Sequence, residues 1–145
     1  MTRVATWLRS VADATVDLGL SVIGLLLVLL PTLGTLHELL GSPIGTTTLE
    51  LWALIAAIAL AYPFVNRILS PGWLGTYVLA FWGGMVAVGV AGGAVIASTG
   101  ISLSGENPLW PTLLIAQGHA VALTITYLDD VRLRPQRRPA AGEPQ

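Results

Sequence analysis

The stretch Trp73 to Ser98, WLGTYVLAFWGGMVAVGVAGGAVIAS, carries no charged residue and exceeds the roughly 20 apolar residues that span a bilayer core. Three comparable runs accompany it, so the chain must be solvated by lipid or by itself. Within the run, Ala80, Gly84, Ala87, Ala91, Ala94 and Ser98 recur at alternating steps of four and three. They form one small-residue helical face, and Gly89, Gly93 and Ala97 form a second row. Helices in lipid associate by close van der Waals contact, so small-xxx-small rows mark where backbones approach. The run therefore reads as the central packing helix of a membrane bundle. Its Gly84 face is expected to receive the first and fourth spans, and the Gly89, Gly93, Ala97 row is expected to be left for a neighbour.

Composition agrees. Of 145 residues, 54% are hydrophobic and only 10% charged, with a mean hydropathy of +0.75, against about 25% charged in soluble domains. The expected class is all-α: a polytopic membrane protein with a four-helix transmembrane bundle. Residues 1–17 read as an interfacial amphipathic N-terminal helix, with Val4, Trp7, Leu8, Val11 and Leu18 at helical spacing. The transmembrane domain covers 18–128, with spans at about 18–36, 49–65, 73–98 and 109–128. Residues 129–145 have the polar, proline-rich composition of a disordered basic cytoplasmic tail.

Local signals set the boundaries. Thr47 followed by Glu50 has the form of a capping box opening the second span. Ser70 with Pro71, and Asn107 with Pro108, repeat a cap-then-proline signal ahead of the third and fourth. Pro31 and Pro63 interrupt the first two, each removing a backbone hydrogen bond.

With four spans both termini share a side, and that side holds all seven basic residues: Arg3, Arg9, Arg67, Arg132, Arg134, Arg137 and Arg138. The two opposite loops hold Glu38, Glu50 and Glu106 and no basic residue. By the positive-inside rule both termini are expected to be cytoplasmic, and the membrane to be the cytoplasmic one.

Polar residues at membrane depth are the candidate functional groups. In the first span Asp17, Ser21, Gly24, Val28, Pro31, Thr32 and Thr35 lie within about 60 degrees of Asp17 on the helical wheel, a stripe that must turn away from lipid. In the fourth, Thr112, His119 and Thr126 form one line, and Gln117 and Thr124 a second on the opposite flank. One line would face the protomer interior and the other a second subunit. Asp17, Ser21, Thr32, Thr35, Gln117, His119 and Thr126 are thus candidates for a polar pathway, with His119 able to relay a proton near neutral pH. The plainer account is helix packing, with hydroxyls bonded to the preceding turn and His119 donating one interhelical hydrogen bond.

Several chemistries are excluded or disfavoured. There is no cysteine, hence no thiolate catalysis, disulfide or iron-sulfur ligation. Nucleotide-binding glycine loops, HExxH and GxSxG are absent. His37 and His119 differ in depth by roughly half a bilayer core, which argues against a bis-histidine haem. No enzyme activity, cofactor, metal site or nucleic acid partner is expected. The expected partners are the lipid bilayer and either further copies of the chain or a larger membrane protein. Two functions fit: a non-catalytic accessory or scaffold subunit, or a small oligomeric channel or secondary transporter with its route between spans one and four.

Overall fold

The computed structural model describes residues 2–99 and 109–133, which form four helices: α1 Thr2–Leu39, α2 Thr46–Val65, α3 Pro71–Thr99 and α4 Leu109–Leu133. Each contains a segment long and apolar enough to cross a membrane: Ser10–Leu39, Thr46–Val65, Pro71–Thr99 and Trp110–Val131. The expected cap at Asn107 and the tail beyond Leu133 lie outside the described residues. α4 continues through Asp129 and Asp130 to Leu133, past the boundary expected at Leu128.

α1 is a single 38-residue helix, about 57 Å long at 1.5 Å per residue. The N-terminal segment and the first span are therefore one continuous element, and Pro31 does not interrupt it. α1, not α3, packs substantially against all the others; α3 meets α2 through the Phe64–Trp73 ring contact. α3 and α4 pair extensively, whereas α2 packs essentially against α1 alone. The α2 contact uses Ala53, Ala57 and Ala61, all fully buried and spaced by four, with Phe64 closing the row. This is a small-xxx-small face of the kind that permits close backbone approach.

The termini show how local chemistry sets the ends. Ser70 caps α3 as its sequence predicts: the Trp73 backbone N–H donates to Ser70 Oγ at 3.1 Å, and Pro71 occupies the first helical position, where its missing N–H costs nothing. The Thr47–Glu50 capping box does not form. α2 begins at Thr46 with Gly45 as its extended N-cap and no side-chain cap bond, so Thr47 lies inside the helix, where it cannot cap. α1 ends in a Schellman arrangement, with Ser42 N–H bonded to His37 O at 2.8 Å, Gly41 N–H to Glu38 O at 3.0 Å and Gly41 at φ 79.

α2 ends in the same way, with Ile68 N–H on Pro63 O at 2.8 Å and Arg67 N–H on Phe64 O at 3.1 Å. Here the left-handed position is held by Arg67, at φ 56. A side chain there costs about 1–2 kcal/mol relative to the right-handed region. Arg67→Gly is therefore expected to stabilise the folded chain by about 1 kcal/mol, read as a higher midpoint in reversible unfolding from mixed micelles. No gain would mean that the Arg67 side chain makes a compensating contact.

The core is small and lies between α1, α3 and α4. Phe81, with no exposed surface, packs with Val28, Ile115 and Ala122. Tyr77, Val78, Ala80 and Met85 surround this cluster.

Candidate functional site

The first-span stripe turns inward as its pattern requires. Ser21 and Val28 are buried, and a Cβ placed on Gly24 would sit 3.2 Å from Leu74 of α3. At the level of Thr32 the stripe meets His119. The Thr32 hydroxyl oxygen lies 2.9 Å from His119 Nε2, and the Tyr77 hydroxyl lies 2.6 Å from Nδ1. One imidazole thus bonds to α1 and α3 from its seat on α4, and all three helices are tied at one height.

The proton arrangement follows from counting donors. The Thr32 hydroxyl donates to Val28 O at 2.6 Å, which leaves its oxygen to accept. Nε2 then carries the hydrogen and donates to Thr32, and Nδ1 accepts from the Tyr77 O–H. The chain Tyr77, His119, Thr32, Val28 carbonyl is saturated with the imidazole neutral. Phe81 covers the ring, with centroids 4.8 Å apart. Tyr77 is itself stacked on Trp73 at 5.4 Å, and Trp73 on Phe64 at 6.3 Å. An aromatic ladder therefore runs from the end of α2 to the imidazole.

The other candidates are placed as follows. Thr126 is buried, and its hydroxyl donates to Ala122 O at 2.8 Å. Thr35 is half-buried and donates to Pro31 O at 2.9 Å. Asp17 is half-buried, one turn before Ser21 on the same stripe. It lies about 22 Å from Thr32 along the helix axis at 1.5 Å per residue, well away from the level of His119.

Gln117 is exposed on the outward face of α4, as is Thr124, whose hydroxyl donates to Ala120 O at 2.8 Å. The two polar lines of α4 are thus separated, with His119 and Thr126 inside and Gln117 and Thr124 outside.

The small residues also divide. Gly84 is buried, and a Cβ there would meet Val121 Cβ of α4 at 3.0 Å. Farther along the same face Ala87, Ala91, Ala94 and Ser98 are exposed, so only the first half of that face is packed. α1 reaches α3 instead beside Leu74 and Val78. Gly89 and Gly93 have nothing within 4 Å of an added Cβ, and Ala97 is exposed. Two glycines outside these rows are equally tight. A Cβ on Gly118 would fall 2.8 Å from Met85 and 3.0 Å from Phe81, and one on Gly92 would fall 2.5 Å from the Trp110 ring.

Tyr77 and Phe81, which the sequence pattern alone does not single out, are one helical turn apart on α3. A tyrosine inside an apolar run, four residues from another aromatic, is the available signal that a polar partner lies opposite.

Two open apolar clefts flank α3. One of about 520 Å³ lies against α4 and is lined by Gly83, Gly84, Ala87 and Val121 among others. The other, of about 380 Å³, lies against α1 beside Gly24, Leu74 and Val78. His119 lines neither. Among the described residues no three potential metal ligands cluster. Compared with protein-family models, curated proteins and solved structures, the chain matches none. Four apolar helices of membrane-spanning length are compatible with a small, multi-pass integral membrane protein.

Proposed function

We propose that the chain is a non-catalytic accessory or scaffold subunit of the cytoplasmic membrane, with both termini on the cytoplasmic side. The observation that carries this reading is that His119, Thr32, Thr35 and Thr126 already have their hydrogen bonds made within the protomer. Both His119 nitrogens are bonded, to Thr32 and Tyr77, and Thr35 and Thr126 bond to their own helices. A transport route needs polar groups free to exchange partners with a permeant species. Surface that can host a larger membrane protein is present instead on α3, where Gly93 and Ala97 stand exposed with Val86 and Val90 beside them. The seven-to-zero division of basic residues supports the orientation.

The competing reading, a small oligomeric channel or transporter, is favoured by one observation: Ser21, Thr32, His119 and Thr126 all face the bundle interior. The readings separate in proteoliposomes. The purified chain is expected to carry no flux of protons, alkali cations or halides above empty vesicles. A flux abolished by His119→Ala in a protein that still folds would replace the scaffold reading with the transport one. Gly93→Leu, in contrast, is expected to leave insertion intact while removing photocrosslinks from α3 to a larger membrane protein in cells.

A further inference from the structure

Gln117 is a polar side chain that the fold leaves unexplained. It is exposed and has no hydrogen-bond partner among the described residues. In the Trp110–Val131 segment it falls about 5 Å from the middle. With that segment across a bilayer, the nearer interface is roughly 10 Å away, beyond the reach of a glutamine side chain. An amide in hydrocarbon with no partner is costly, and its neighbours on the same helix face do not supply one.

Those neighbours form a pattern. Leu113, Gln117, Ala120, Thr124, Tyr127 and Val131 alternate steps of four and three, the period of a left-handed helix pair, and every one is exposed. The face is separate from that carrying Ile115, Gly118, Ala122 and Thr126, which is buried within the protomer.

We infer that this outward seam of α4, centred on Gln117, is the contact surface for a second copy of the chain. The argument for a second copy rests on charge complementarity. A carboxamide presents a partial positive N–H₂ and a partial negative oxygen, so it is complementary to its own copy. In a two-fold pair about an axis along the membrane normal, each seam residue meets its equivalent at the same height. Gln117 of each protomer then donates to the carbonyl of the other, and both amides are satisfied at once. Ala120, one turn away, is small enough to let the helices approach. The clefts beside α3 are lined almost wholly by apolar residues and create no such demand. The pairing is independent of whether α3 docks a larger protein.

The chain has no cysteine, so single substitutions report contacts cleanly. In proteoliposomes at low protein-to-lipid ratio, Ala120→Cys is expected to form a disulfide-linked dimer on mild oxidation, and Val90→Cys on α3 is not. Adding Gln117→Leu should weaken dimerisation about 3- to 20-fold, the span measured for interhelical hydrogen bonds in membranes. Gln117→Asn, which keeps the amide, should retain most of it. Gln117 points away from the core, so folding is preserved in both. The inference is overturned if Ala120→Cys stays monomeric, if Val90→Cys crosslinks as well as Ala120→Cys, or if Gln117→Leu dimerises as wild type does. It is equally overturned if Ala120→Cys in cells crosslinks only to a different polypeptide.

Discussion

Gly118→Ala is expected to destabilise the bundle by about 1–3 kcal/mol, the usual cost of overpacking a filled interior, while Gly93→Ala should be neutral or slightly stabilising. Both changes add one methyl group to a glycine within an apolar helix, so intrinsic propensity favours both equally, by up to about 1 kcal/mol. Surroundings decide the difference. The new Cβ at 118 would lie 2.8 Å from Met85 Cγ and 3.0 and 3.1 Å from two Phe81 ring carbons. Met85 can bend aside, but Phe81 is fully buried and sits against the His119 ring, so α3 and α4 must separate. At 93 the methyl meets nothing within 4 Å. Gly92→Ala should be milder than Gly118→Ala, because the clash there is with the far end of the Trp110 ring, which can swing. Unfolding midpoints in mixed micelles order the three variants. A Gly118→Ala protein as stable as wild type would show that the α3–α4 contact is looser than its geometry.

The second large effect is expected at the three-helix tie. His119→Leu removes two bonds and leaves the Tyr77 hydroxyl without its partner, for a loss of about 1–3 kcal/mol. Tyr77→Phe leaves Nδ1 without a donor and should cost about 0.5–1.5 kcal/mol. Combining them removes both halves of the bond, so the double variant should be more stable than the sum of the single losses predicts. The expected coupling is about 0.6–1.7 kcal/mol, the range for such bonds in membranes. Strict additivity would mean that the 2.6 Å contact contributes nothing. Thr32→Val should be milder than His119→Leu. Val28 O, to which the hydroxyl donates, keeps its backbone bond within α1, and valine keeps the shape.

Much of the fold was legible because apolar patterning and helix termination are local. Four apolar runs became four helices, and Ser70-Pro71 marked the start of α3 to the residue. The inward turn of the first-span stripe was legible from its spacing alone, since Ser21 and Thr32 had nowhere else to go. What the sequence hid was pairing. Small rows exist on both α2 and α3, and nothing local tells which one meets a neighbour in the same chain. Ala53, Ala57 and Ala61 proved to be fully packed, whereas Gly89 and Gly93 lie open. That α1 is the hub depends on long-range contacts that no window of residues contains. His119 was visible as a group needing a partner, but Tyr77 is 42 positions away, and only the pairing of α3 with α4 brings the two together. The missing cap at Thr47 shows the opposite limit: a short motif was present, and Gly45 in an extended conformation started the helix ahead of it.

The division of the four helices into two pairs gives the molecule an uneven resistance to opening. α1, α3 and α4 are bound to one another by the imidazole tie and the Phe81 cluster. α2 is held by three alanines against α1 and by Phe64 at its end. The extensive contacts are those of α1 with α2 and of α3 with α4, so the seam between these two pairs is where opening is expected first. Amide hydrogens of α1 around Val28, which faces that seam, should exchange with solvent deuterium before those of α2 around Ala57, at an opening free energy below that of global unfolding.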